Sequence, residues 1–79
     1  MSLTKVYLDI LTEINNNPIS INILVEKYKI TTRAVRYYID NINYYLKKYS
    51  IPEIYIKNGK LYFGIDDNAL ISFIDKIPI

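Results

Sequence analysis

Two periods organise the apolar positions of this chain, one near 3.6 residues and one near 2. Leu3, Tyr7, Ile10, Leu11 and Ile14 recur at the first, with Lys5, Asp9 and Glu13 between them. That spacing predicts an amphipathic helix from about residue 3 to about residue 15, capped by Ser2 and stopped by the asparagines before Pro18. Val35, Ile39, Ile42 and Leu46 repeat the pattern and predict another, longer helix. At about 100° per residue, Tyr38, Tyr45 and Tyr49 flank its apolar side, while Arg33, Arg36, Tyr37, Asp40 and Tyr44 fall on the opposite side. The second period occupies "EIYIKNGKLYFGI", where Ile54 and Ile56 alternate with Tyr55 and Lys57, and Leu61 and Phe63 alternate with Tyr62. Asn58-Gly59 between the two runs is the strongest short hairpin signal, because both turn residues need positive φ.

A shorter pattern marks where helices begin. "ISINIL" sets Ile19 before Ser20 with Leu24 four residues beyond, "ITTRAV" sets Ile30 before Thr31 with Val35, and "IDDNAL" sets Ile65 before Asp66 with Leu70. Each is a candidate N-cap inside a hydrophobic staple, the side-chain oxygen accepting a backbone N–H and the apolar pair fixing how the chain approaches. Helices are therefore expected from near Ile21, Thr32 and Asp67. Only Lys29, Ile30 and Thr31 separate the second helix from the third, the short connection of a helix-turn-helix. The expected architecture is mainly α with a small β-hairpin. In detail it is a winged helix-turn-helix: a three-helix bundle, a two-stranded wing with lysines at its tip, and a short C-terminal helix, all in one domain over residues 1–79.

Composition narrows the chemistry. The 79 residues are 51% hydrophobic and 23% charged, which fits a globular domain with one modest core. Without cysteine there is no disulfide framework or thiolate metal site, and without histidine the commonest general base and zinc ligand are both missing. Asp66 and Asp67 are explained by the cap, and Gly59 and Gly64 form no phosphate-loop pattern. No catalytic residue, metal site or cofactor is expected, and the protein is not read as an enzyme. No apolar stretch approaches the roughly 18 residues of a membrane span and no signal segment is evident, so a cytoplasmic protein without a membrane partner is expected. Isoleucine, asparagine, lysine and tyrosine, including "NNN" at Asn15–Asn17, follow AT-rich codons.

The net charge of +2 conceals an asymmetry. Residues 1–26 set Lys5 against Asp9, Glu13 and Glu26, and residues 61–79 set Lys76 against Asp66, Asp67 and Asp75, each a balance of −2. Residues 27–60 set Lys27, Lys29, Arg33, Arg36, Lys47, Lys48, Lys57 and Lys60 against Asp40 and Glu53, a balance of +6. Such a concentration is the electrostatic footprint of a polyanion-binding surface.

With these motifs in place, the stretch from about Ile19 to Gly64 resembles the N-terminal, biotin-repressor-like winged helix-turn-helix of bacterial sugar-operon regulators and their Mga-like relatives. "TTRAVRYYIDNINYYL" carries the resemblance through Thr31, Arg33, Val35, Ile39, Ile42, Asn43 and Leu46, and "NGKLYFGI" keeps Gly59 and the aromatic Tyr62 of the family's wing but not its second glycine. Tyr38 stands where an acidic residue is common, and Val25 where an alanine is. The resemblance implies sequence-specific binding of double-stranded DNA in transcription regulation, with the third helix in the major groove and the wing on backbone or minor groove. It makes Arg33 and Arg36 candidates for guanine edges or phosphates, Thr31 and Thr32 for a phosphate at the helix N-terminus, Tyr37 for a phosphate or thymine methyl, and Lys57 and Lys60 for the wing contact. It further implies a module of a larger regulator that acts as a homodimer. The rival is a winged helix used as a protein-interaction or dimerisation module, which a large exposed apolar strip on the last helix would favour. RNA binding through the tyrosines stands third.

Overall fold

Three of the four helices form where a short polar side chain holds the first turn. The computed structural model describes residues 3–77, with side chains described from residue 5 onward. Helix α1 spans Leu3–Ile14, so Ser2 and the side chain of Leu3 lie outside the described residues. Helix α2 spans Ile21–Tyr28 behind Ser20, whose hydroxyl accepts from the Asn22 N–H at 3.2 Å. Helix α3 spans Thr32–Lys48 behind Thr31, whose Oγ1 accepts from the Ala34 N–H at 3.0 Å. Helix α4 spans Asp67–Lys76 behind Asp66, whose carboxylate accepts from the Ala69 N–H at 2.8 Å. The three expected caps that lie among the described residues are made, and each staple residue is buried or half-buried in the core. No described helix is long and apolar enough to cross a membrane.

Two helices end on left-handed residues that are not glycine. Lys29 (φ 57°) closes α2, where the Ile30 N–H donates back to the Val25 carbonyl at 3.2 Å. Ser50 (φ 60°) follows α3 and donates to the Lys47 carbonyl at 3.1 Å, while the Ile51 N–H reaches the Leu46 carbonyl at 2.8 Å. These paired bonds satisfy carbonyls that a helix end leaves without partners.

The sheet departs from the expected two-stranded wing. Strand β1 is Ile19–Ser20, β2 is Tyr55–Lys57 and β3 is Lys60–Tyr62, all antiparallel in the order β1-β3-β2. An N-cap residue has β-region dihedrals; with Ser20 at φ −66°, ψ 139°, the capping stretch is already extended and pairs with β3. Ile19 faces Leu61 and Ser20 faces Lys60, and the Ile21 N–H extends the contact to the Gly59 carbonyl at 2.9 Å. The Asn58-Gly59 turn has φ of 53° and 75°, positive at both positions as the sequence requires. Ile54, Leu61 and Phe63 are buried, but Ile56, nearer the turn on the edge strand, is 37% exposed.

One core joins these elements. Ile10, Leu11 and Ile14 from α1, Leu24 from α2, and Val35, Ile39, Ile42 and Leu46 from α3 are all buried there, as the periodicity predicts. Leu70 and Phe73 from α4 complete it, each full burial of such a side chain contributing about 1.5–3 kcal/mol. Asparagine amides then tie the sheet and loops to the helices. Asn43 of α3 donates to the Ile54 carbonyl at 2.9 Å and accepts from the Ile54 N–H at 2.7 Å. Asn15 does the same to Ile65, at 3.1 and 2.9 Å. In both places an amide side chain occupies the position a neighbouring strand would take.

Candidate nucleic-acid interface

Helix α3 divides its residues sharply between two sides. Val35, Tyr38, Ile39, Ile42 and Leu46 are buried, while Arg33, Arg36, Tyr37, Asp40 and Tyr44 are exposed. Tyr38 packs on Tyr7, ring centroids 4.7 Å apart, and Tyr45 and Tyr49 are half-buried at the core edge. On the outer side Tyr37 and Tyr44 are 62% and 64% exposed, which is much for residues of that size. With 17 residues the helix is about 25 Å long, enough to present Arg33, Arg36 and Tyr37 in its first turn and a half and Tyr44 beyond them. Thr31 and Thr32, both exposed, stand at its N-terminal end; the Thr31 side-chain oxygen is already engaged as the cap.

Lys57 and Lys60 stand opposite each other across the hairpin, the last pair before the turn. Like charges directly opposed in a sheet are destabilising. The ion pairs among the described residues are Lys5–Asp9 at 3.4 Å and Lys27–Glu13 at 2.9 Å. Arg33, Arg36, Lys57 and Lys60 therefore carry their charges without a described carboxylate partner. Lys27 belongs to another structure, the α1–α2 seam. There the Tyr28 hydroxyl also donates to Glu13 Oε1 at 2.9 Å. The Lys27 hydrogen bond holds the Glu13 carboxyl below its ordinary value, and burial, followed by the bond to Glu13, pushes the Tyr28 hydroxyl up to about 12.

Of the sequence-predicted residues, Arg33, Arg36 and Tyr37 share one helix face and Lys57 and Lys60 share one sheet position, and all five are exposed. Asn43 fastens α3 to the residue before β2, and so fixes the two surfaces in one body. Sequence reasoning singled out Tyr62 only as the wing's aromatic and did not pair it with Tyr55. They are cross-strand partners whose rings stack with centroids 5.0 Å apart and planes at 13°. A signal was available, since a two-residue Asn58-Gly59 turn pairs 57 with 60, 56 with 61 and 55 with 62. No group of metal-ligating side chains occurs among the described residues. Compared with family models, with curated proteins and with solved structures, the chain gives no significant match.

Proposed function

We propose that this chain is a winged helix-turn-helix that binds double-stranded DNA as part of a transcriptional regulator of the sugar-operon or Mga-like kind. In this reading α2 and α3 are the helix-turn-helix pair, joined by Lys29, Ile30 and Thr31, and the β2–β3 hairpin is the wing. The observation that carries it is the outward cluster of Arg33, Arg36 and Tyr37, set opposite the buried stripe of α3 and free of described carboxylate partners. Arginine forks guanine O6 and N7 in the major groove, and Lys57 and Lys60 offer paired cations to the backbone. The free N–H groups at the start of α3, with Thr31 and Thr32 beside them, suit a phosphate.

The dimerisation-module alternative would be favoured by a large exposed apolar strip on α4. Leu70 and Phe73 are buried and Ile74 is half-buried, so Ile71, at 59% exposure, is the isolated apolar residue on its outer side. Scattered single apolar residues are ordinary on a protein surface.

Gel shifts against genomic fragments at two salt concentrations test the proposal. Binding selects particular fragments, and its affinity falls as salt rises, by about 0.9 log units per log unit of salt for each phosphate neutralised. Equal affinity for every fragment would leave no sequence-reading element to assign to α3. A single module of this size buries only roughly 600–1,000 Å² on DNA, so tight binding is expected on paired half-sites, with two copies about one helical turn apart.

A further inference from the structure

Beyond the Lys57–Lys60 pair already given to the duplex backbone, the outer face of the sheet carries residues that duplex recognition does not use. Strands β2 and β3 turn Ile56 and Leu61 to one side, where Leu61 is fully buried beside Ile19. The period of two then sets Tyr55, Lys57, Lys60 and Tyr62 on the other side. They form two rows. The first is the stacked Tyr55–Tyr62 pair, with Tyr55 58% exposed. The second is the Lys57–Lys60 pair, two residues nearer the turn, whose mutual repulsion a bound anion would relieve.

Beside the tyrosines lies an open cleft of about 440 Å³, lined by both rings together with Asn16 and Glu53. Asn16 Nδ2 donates to the Ile65 carbonyl at 3.1 Å, which leaves its Oδ1 as an acceptor. Gly64 makes room for that amide, since a Cβ there would lie 2.6 Å from Asn16 Oδ1. Among the described residues nothing donates to Asn16 Oδ1 or to the Glu53 carboxylate.

The geometry points to an unpaired nucleotide as the ligand of this face. Its base stacks on the Tyr55–Tyr62 pair, an exocyclic amino group donates to Asn16 Oδ1 and Glu53, and its phosphate lies between Lys57 and Lys60. Two residues of strand separate the rows by roughly 7 Å, the reach of a nucleotide from base to phosphate. Duplex bases are already stacked on one another, whereas the bases of a single strand offer their faces to aromatic side chains. A carboxylate suits cytosine, whose N4 is a donor. The site does not rest on duplex reading by α3.

Fluorescence anisotropy with a labelled ten-nucleotide oligodeoxycytidine, with oligothymidine of the same length and with cytidine monophosphate as competitor, tests it. The expected result is saturable binding of the cytidine strand and weaker binding of thymidine, which lacks the amino group. Tyr55→Ala/Tyr62→Ala weakens the cytidine strand at least tenfold, the scale of lost base stacking, and Tyr55→Phe/Tyr62→Phe retains it. Competition by the monophosphate assigns a free nucleotide as ligand, and failure to compete assigns a strand; both keep the chemistry of the site. If the double alanine variant does not fold, amide shifts in the unaltered chain decide, with the largest changes expected over residues 53–64. Unchanged affinity in a folded double alanine variant, or shifts confined to α3, overturns the inference. Arg33→Ala/Arg36→Ala leaves oligodeoxycytidine binding unchanged, so loss of duplex binding and loss of this site are told apart.

Discussion

At the α1–α2 seam, Lys27 Nζ and the Tyr28 hydroxyl both lie 2.9 Å from one carboxylate oxygen of Glu13. On α3 and the hairpin the same residue types, as Arg33, Arg36, Lys57, Lys60, Tyr37 and Tyr55, meet no described carboxylate. Even Arg36 and Asp40, four residues apart on one helix face, do not close an ion pair, and the cation N-terminal to the anion is the weaker order for such pairs. The acids with described structural partners lie elsewhere. Asp9 and Glu13 lie on α1, and Asp66 caps α4. The difference teaches how to separate structural from functional charge in a tyrosine- and lysine-rich chain. Where a cation and a hydroxyl saturate a shared acceptor, they hold elements together; where cations are opposed or adjacent without a described acceptor, their charge is left to solvent or to a ligand.

The largest expected effect breaks the frame that keeps the second region in place. Asn43→Ala leaves both the N–H and the carbonyl of Ile54 without their partner, and should lower unfolding free energy by about 2–3 kcal/mol. Urea unfolding measures this, and hydrogen exchange should show β2 amides losing protection first. A loss under about 0.5 kcal/mol, the range of ordinary surface changes, would mean that the hairpin is held by Leu61 and Ile54 packing alone.

Next come the cations themselves. Arg33→Ala and Arg36→Ala should each weaken duplex affinity by about 1–3 kcal/mol where the arginine reads a base, with thermal stability essentially unmoved. Lys60→Ala should weaken all sequences alike and lower the salt slope by about one, and by removing a like-charge pair it should not destabilise the hairpin. Anisotropy titrations in parallel with thermal melts make the comparison. Arginine variants that unfold the domain yet bind unchanged when folded would reverse the assignment of the two regions.

The seam should behave in the opposite way. Glu13→Gln should cost about 1.5 kcal/mol of stability, the low end of the scale for hydrogen bonds to a charged group, and leave nucleic-acid affinity unaltered. Its pH dependence has a definite sign. Glu13 titrates below its ordinary 4.5 in the folded chain, so its contribution is present above that value and is lost as pH falls through the folded one. Tyr28 is raised from 10.0 to about 12, so its contribution is present below pH 10 and is lost between about 10 and 12. Tyr28→Phe should flatten that alkaline loss, as read from melting temperature against pH.

Much of this fold is legible in the sequence because its signals are local. Ser20, Thr31 and Asp66 with their staples locate three helix starts within four to six residues of chain, and the buried stripe of α3 follows from angular spacing alone. The same arithmetic places Arg33, Arg36 and Tyr37 outward. The pairing of β1 is not legible, since Ile19–Ser20 is fully accounted for as staple and cap while its partner lies some forty residues on. The asparagine clamps are hidden for a related reason. An amide that replaces a missing strand neighbour is chosen by tertiary position, and within "NNN" it looks like composition. Each asparagine of that run nevertheless bonds a backbone carbonyl, Asn15 and Asn16 at Ile65 and Asn17 at Glu13. The Tyr55–Tyr62 stack lies between, deducible from turn register but inconspicuous among nine tyrosines.

The smallest expected effect concerns the end of α3, beyond the charged face. Ser50 holds φ at 60° to let its own N–H and that of Ile51 satisfy the Lys47 and Leu46 carbonyls. A residue with a Cβ in that left-handed region carries a cost of roughly 1–2 kcal/mol, and glycine removes it. Glycine also widens the unfolded ensemble, which gives back about 0.5–1 kcal/mol. Ser50→Gly should therefore stabilise the domain by a net of about 0.5 kcal/mol. The hydroxyl of Ser50 makes no described hydrogen bond and its charge is nil, so binding at either proposed surface should not change. Lys29→Gly, at φ 57° in the connection between α2 and α3, gains the same conformational relief but removes a cation from the basic segment. If Ser50→Gly raises stability with duplex affinity constant, while Lys29→Gly raises it and weakens the duplex, the positive charge between α2 and α3 belongs to the set left to a ligand rather than the structural one.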